Sequence, residues 1–133
     1  MTDEELLKAA RDVLGNAHAP YSGFRVAAAL EAADGRVYRG TNVENASYGL
    51  GICAERSAVF AAVSAGARQF RRMAVVSSDP SVPLRPCGAC LQVLWEFAPD
   101  LSLLLAAGDS PVERRSVRDL LPEGFRLDRS GRT

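Results

Sequence analysis

Along the start of the chain, Leu6, Leu7, Ala10, Val13, Leu14 and Ala17 recur at the three- and four-residue spacing that gathers apolar side chains on one face of a helix. Thr2 and Glu5 stand three apart ahead of that run, a capping-box pattern, so a first helix is predicted from about Asp3 to about Asn16. The breaker-rich stretch Ala19-Pro20-Tyr21-Ser22-Gly23 ends it. Phe24 to Ala32 and Val37 to Thr41 then read as two strands joined through Ala33-Asp34-Gly35-Arg36, a hairpin turning on Asp-Gly. Cys53 to Ala65 is alanine-rich and free of glycine and proline, with Gly66 placed to stop it. That composition predicts a mostly buried helix with Cys53 and Glu55 in its first turn.

Met73 to Ser77 is a short β-prone run, and the three prolines between Asp79 and Pro86 impose a loop. Cys87 to Phe97 regains helical character before Pro99, Leu101 to Ala106 is a second buried strand, and Ser116 to Leu121 can form one short helix ahead of Pro122 and Gly124. Strands and helices in this order predict an α/β sheet covered by helices. Periodicity alone leaves the topology open.

Composition narrows the picture. At 133 residues, 47% of them hydrophobic, the chain has material for one packed core, so residues 1–133 are expected to form a single domain. Sixteen basic and sixteen acidic residues balance, which removes any global electrostatic reason to bind nucleic acid or an anionic membrane. Three arginine groups, Arg68, Arg71 and Arg72, then Arg114, Arg115 and Arg118, then Arg126, Arg129 and Arg132, are interleaved with apolar or acidic residues and read as solvated faces. An acidic start, Met1-Thr2-Asp3-Glu4-Glu5, lacks the basic region of a secretory signal. No apolar run approaches the roughly 20 residues of a membrane span, and a cytoplasmic location is expected. Cys53, Cys87 and Cys90 are odd in number and cannot all pair within one chain. In a reducing compartment, free thiols or metal ligands remain.

Candidate chemistry is concentrated in Cys53-Ala54-Glu55 and Pro86-Cys87-Gly88-Ala89-Cys90, each where a loop meets a helix start. Two cysteines separated by two residues can offer both sulfurs to one ion, and the positive end of a helix dipole favours their thiolates. A third cysteine completes three sulfur ligands and leaves a tetrahedral zinc one open position, the catalytic pattern. A closed structural site would need a fourth ligand, for which His18 is the sole histidine; its spacing from every cysteine gives it no local reason to join. Glu55 is held near such a metal, where a further anion adds little as a ligand but a carboxylate can shuttle protons. Arg56 is the adjacent cation able to offset the thiolate charge.

With these fragments stand Ala19-Pro20-Tyr21-Ser22-Gly23-Phe24, Gly40-Thr41-Asn42-Val43-Glu44-Asn45-Ala46-Ser47-Tyr48, and Leu120-Leu121-Pro122 with Phe125. Together, from about Ala17 to about Phe125, they resemble the small homotetrameric cytidine deaminase family in its three-cysteine form. The resemblance implies a three-layer α/β sandwich with a central mixed sheet flanked by helices, and one zinc per subunit on Cys53, Cys87 and Cys90. It implies Glu55 as the catalytic acid and base, Asn42 and Glu44 on the ribose hydroxyls, Phe24 against the base, and Ala54 as a further substrate-binding residue. It also implies that Phe125 and Tyr48 complete a neighbouring subunit's site in a homotetramer. The family often has Val-Gly-Ala-Ala-Leu where this chain reads Val26-Ala27-Ala28-Ala29-Leu30, an added methyl that touches only local packing.

The expected activity is hydrolysis of cytidine and 2′-deoxycytidine to uridine and 2′-deoxyuridine with release of ammonia, in pyrimidine salvage, on free nucleosides rather than nucleic acid. Two rival readings are a deaminase of a cytosine-containing antibiotic such as blasticidin S, and a non-catalytic module stapled by zinc.

Overall fold

The computed structural model describes residues 1–127, so Arg129 and Arg132 of the last arginine group lie outside the described residues. Helix α1 (Asp3–Leu14) begins with the expected capping box, Thr2 and Glu5 each bonding the other's backbone N–H, and stops two residues early at Gly15. Strands β1 (Val26–Ala32) and β2 (Val37–Thr41) form the hairpin, with Gly35 at φ +91° in the turn. Helix α2 (Ala54–Ser64) ends at Gly66, whose φ of +97° is the left-handed backbone that a glycine stop supplies. Then come β3 (Phe70–Ser77), α3 (Gly88–Phe97), β4 (Ser102–Ala107), β5 (Glu113–Ser116) and α4 (Val117–Leu120).

The five strands lie in the order β2-β1-β3-β4-β5. Only β3 and β4 are parallel, so the sheet is mixed. That parallel pair requires a crossover, which α3 provides. Alternate side chains divide two apolar cores between the faces. Ala27, Ala29, Ala74, Val76 and Leu104 pack with Leu6, Leu7 and Ala10 of α1. On the other face Ala28, Leu30, Met73, Val75 and Leu103 pack with α2, α3 and α4. The result is the expected three-layer sandwich. Ala27 is fully buried in the α1 core, so its methyl is packing material.

Two strand starts and one unpredicted strand differ from the sequence reading for identifiable reasons. Phe24 precedes β1 because side chains replace its ladder bonds: Ser22 Oγ accepts from Phe24 N at 3.0 Å and Asn42 Nδ2 donates to Phe24 O at 2.8 Å. β3 starts three residues before Met73, where Arg71 and Arg72 conceal it; Arg71 bonds the Ala33 carbonyl and Arg72 is ion-paired with Glu31 at 2.7 Å. Arg72 therefore departs from the solvated-face expectation, its side chain being only 21% exposed. β5, Glu-Arg-Arg-Ser, has no apolar residue to betray it and pairs with β4 at the sheet edge.

Candidate active site

Register places the start of β1 and the ends of β2, β3 and β4 together, since Val26 faces Ser77, Ala27 faces Thr41, and Ser77 faces Ala107. Chain leaving this end of the sheet enters α2 and α3, and both helices take a cysteine as N-cap. Cys53 caps α2 with extended backbone, while Cys87 caps α3 and accepts a bond from Cys90 N at 3.4 Å through its sulfur. An N-cap sulfur sits among unpaired backbone N–H groups at the positive pole of the helix, where an anion is stabilised.

The three sulfurs converge. Cys53 Sγ lies 3.8 Å from Cys87 Sγ, Cys87 Sγ lies 3.4 Å from Cys90 Sγ, and all three fall within 4.8 Å of one another. Thiolates sharing a tetrahedral zinc at Zn–S bonds of about 2.3 Å stand about 3.8 Å apart, so the spacing and the donor set fit that ion. No histidine or carboxylate joins the group among the described residues. His18 is exposed and is held by backbone pairing, its N–H donating to Asn42 O at 3.1 Å and its carbonyl accepting from Glu44 N at 2.8 Å. A closed three-cysteine, one-histidine site is therefore not what the fold builds.

Two charged side chains flank the sulfurs. Arg56 Nη2 donates to Cys53 Sγ at 3.4 Å, and its buried Nε has no protein partner. Bonds from Cys90, Arg56 and Cys87 pull the Cys53 thiol down to about 5, against the opposing effect of burial. Cys90, donating toward that thiolate and buried, is pushed up. Glu55 is 4% exposed at the first turn of α2. Burial drives its carboxyl up to about 7; its own backbone N–H opposes the rise, the Cys53 charge adds to it and Arg56 subtracts from it. A carboxyl poised there can take up and release a proton near neutral pH.

A cavity of about 420 Å³ opens beside the cluster, within the size range of small-molecule sites. Phe24, Asn42, Glu44, Ala54 and Glu55 line it together with Cys53 and Cys87. The Asn42 amide is partly committed: Oδ1 accepts from Val26 N at 2.9 Å and Nδ2 donates to Phe24 O. One N–H and one lone pair remain. Glu44 Oε1 accepts from Tyr21 N at 3.0 Å and Ser22 N at 3.1 Å, and Oε2 accepts from the Ser22 hydroxyl. Those bonds, the Ser22 hydroxyl first, hold its carboxyl below the usual range, so Glu44 is an anion with acceptor capacity left.

A family model described as the cytidine and deoxycytidylate deaminase zinc-binding region matches residues 1–104. The chain belongs to that family. It is similar to a cytidine deaminase of Halalkalibacterium halodurans, 45% identical over 126 residues that cover 94% of this chain and 95% of the relative. Among solved structures it resembles a cytidine deaminase from Burkholderia pseudomallei, with TM-score 0.89 and 48% identity over 94% of this chain and all of that one (100%). A cytidine deaminase from Mycobacterium tuberculosis gives TM-score 0.78 and 42% identity, covering 96% and 100%. The cofactor of this deaminase is zinc, one ion per subunit.

Two of the aromatic residues named from the sequence are exposed on this chain. Tyr48 lies at the cavity rim, 81% exposed, against Tyr21 with ring centroids 6.0 Å apart. Phe125 does not line the cavity of its own chain and is 56% exposed. Sequence reasoning missed Leu84 and Arg85, which close the cavity from the proline loop, and Ser22, which holds Glu44. The prolines marked that loop, but nothing in it signalled which residue turns inward. Gly40 has a structural place: a Cβ there would lie 2.4 Å from Ala58 N in α2.

Proposed function

We propose that this chain carries out zinc-dependent hydrolysis of cytidine and 2′-deoxycytidine to uridine and 2′-deoxyuridine, releasing ammonia. The observation that carries the reading is a three-thiol cluster with no fourth protein ligand among the described residues, open to a nucleoside-sized cavity, with a buried carboxyl beside it. Cys53, Cys87 and Cys90 hold the ion. Zinc held by these three thiolates would lower the pKa of a water at its open position far enough to make hydroxide available near neutral pH.

Glu55 moves the protons. It accepts one from the attacking water and donates it to the ring nitrogen next to the amine-bearing carbon. It then takes the second proton from the hydroxyl now on that carbon and passes it to the amine, so that the C–N bond breaks, the carbonyl forms and ammonia leaves. Arg56 offsets the thiolate charge and orients Cys53. Asn42 and Glu44 hydrogen-bond the ribose hydroxyls with the donor and acceptors that the protein leaves free. Phe24 packs against the base beside Ala54. Free cytosine, which leaves those ribose-reading groups unpaired, should be a poor substrate.

Phe125 and Tyr48, both exposed on their own chain, complete a neighbouring subunit's cavity in a homotetramer that acts in the cytoplasm on free nucleosides in pyrimidine salvage. Residues 1–133 form a single cytidine deaminase domain.

The test follows cytidine absorbance with zinc-loaded protein, beside free cytosine, blasticidin S, a single-stranded oligonucleotide and the Glu55→Gln variant. Rapid turnover of cytidine is expected, with kcat reduced by on the order of 10² or more in Glu55→Gln at unchanged zinc content. Preferred turnover of blasticidin S or the oligonucleotide would reassign the substrate. Near-normal rates in Glu55→Gln would remove that residue from the mechanism.

A further inference from the structure

After α4 the chain turns back along α3, the helix that begins at Cys87 and carries Cys90 in its first turn. Three contacts hold it there. Trp95 Nε1 donates to Leu121 O at 2.7 Å. Gly124 lies flush on the indole, where a Cβ would stand 2.3 Å from Cδ1. Gln92 then grips the next residue by both backbone groups: its Nε2 donates to Phe125 O at 2.8 Å and its Oε1 accepts from Phe125 N at 3.4 Å.

A primary amide offers one donor edge and one acceptor edge, and here both meet the N–H and C=O of one residue, as a neighbouring strand would. Phe125 is thus fixed in position while its ring stays 56% exposed. The grip comes from a side chain two residues beyond Cys90 on the same helix. Gln92 does not line the cavity of its own chain.

We propose that Gln92 is a positioning residue that registers the tail aromatic against the cysteine-bearing helix, so that Phe125 is presented to the neighbouring cavity at a fixed point. This rests on the reading of Phe125 as part of a neighbour's site. The cysteines belong to the start of α3 and Gln92 bonds only the tail, so displacement of the tail should weaken substrate binding without disturbing the cysteines.

The experiment compares wild type, Gln92→Ala, Gln92→Met, Phe125→Ala and the Gln92→Ala/Phe125→Ala double variant as zinc-loaded proteins. KM and kcat for cytidine, zinc per chain and tryptophan emission are measured; Trp95 is the sole tryptophan and reports whether the tail covers it. Phe125→Ala should raise KM about tenfold, the loss of one well-placed contact. Gln92→Ala and Gln92→Met should each raise KM several-fold with kcat and zinc retained and with red-shifted emission. Gln92→Ala should add nothing in the Phe125→Ala background, since coupled residues are not additive.

Gln92→Met keeps the length and packing of glutamine and lacks both bonds, so wild-type behaviour in that variant would overturn the proposal. So would a fall in kcat and zinc content in the Gln92 variants at unchanged KM. If Phe125→Ala raises KM while the Gln92 variants do not, the positioning role fails and the reading of Phe125 stands. An unchanged KM in Phe125→Ala overturns that reading and the proposal with it.

Discussion

Arg56 shows how one side chain's chemistry depends on its neighbours. Its guanidinium sits on the Cys53 sulfur, one turn into the helix that Cys53 caps, and raises its own hold on the proton by doing so. A cluster of three thiolates with hydroxide carries net negative charge, which weakens a metal's pull on electrons; a cation bonded to one sulfur counters that. Arg56→Ala is expected to lower kcat by about 10 to 100-fold while KM stays close to wild type, the usual scale for a group that tunes a ligand. Steady-state kinetics at saturating zinc checks this, and an unchanged kcat would leave Arg56 a packing residue. Residue types made the cluster legible in the sequence, because three cysteines and a glutamate have few other joint uses. They did not reveal that Asn42 and Glu44 are already half-occupied by backbone groups of Phe24, Val26, Tyr21 and Ser22. Those partners lie more than fifteen residues away, and only folding brings them near.

At the scale of elements, the site exists because β2 lies almost on the first turn of α2. Gly40 makes that approach possible: a Cβ would fall 2.4 Å from Ala58 N and 2.8 Å from Ala54 O. Both are backbone atoms that cannot rotate away, and the turn they belong to carries Glu55. Gly40→Ala should therefore push α2 from the sheet, with a loss of on the order of 2 kcal/mol from overpacking and weaker zinc retention. Urea melts and metal analysis on the same sample measure both. Wild-type stability with full zinc would show that the helix can shift without consequence. The helices and the hairpin were predictable because their apolar spacing and their turn residues agree. β5 was not, since an edge strand of Glu-Arg-Arg-Ser is specified by its partner β4 rather than by its own pattern.

Across the whole molecule, one ion-pair network ties distant parts of the chain together. Arg72 in β3 holds Glu31 in β1 through two bonds, at 2.7 and 3.3 Å, and also binds Asp3 in α1, which pairs in turn with Arg114 in β5. Glu31 is 3% exposed, and Arg72 holds its carboxyl below the ordinary value of 4.5 against the effect of burial. A depressed carboxylate contributes stability that is complete above its unfolded pKa and is lost as pH falls through the folded one. Glu31→Gln should therefore cost on the order of 2 kcal/mol at pH 7, where it leaves Arg72 short of a charged partner. That difference from wild type should shrink as pH drops below 4.5. Urea midpoints of both proteins at neutral and acid pH measure it; an equal gap at both would show that the pair does not titrate as described.

By itself the sequence determined the helices, the hairpin and the two buried strands, the capping box at Thr2 and Glu5, the three sulfur donors and the carboxyl beside them. Each of these is written in residue identity and spacings of a few positions, which local geometry converts directly into structure. Tertiary structure alone decided that Cys53 and Cys87 cap two helices opening at the same end of the sheet, and that Asn42 and Glu44 share one cavity with Cys53, Cys87 and Glu55. Those outcomes depend on strand order and register, set by the packing of two cores on opposite faces of one sheet. Local patterning does not carry that information, because burial is shared among elements far apart in the chain.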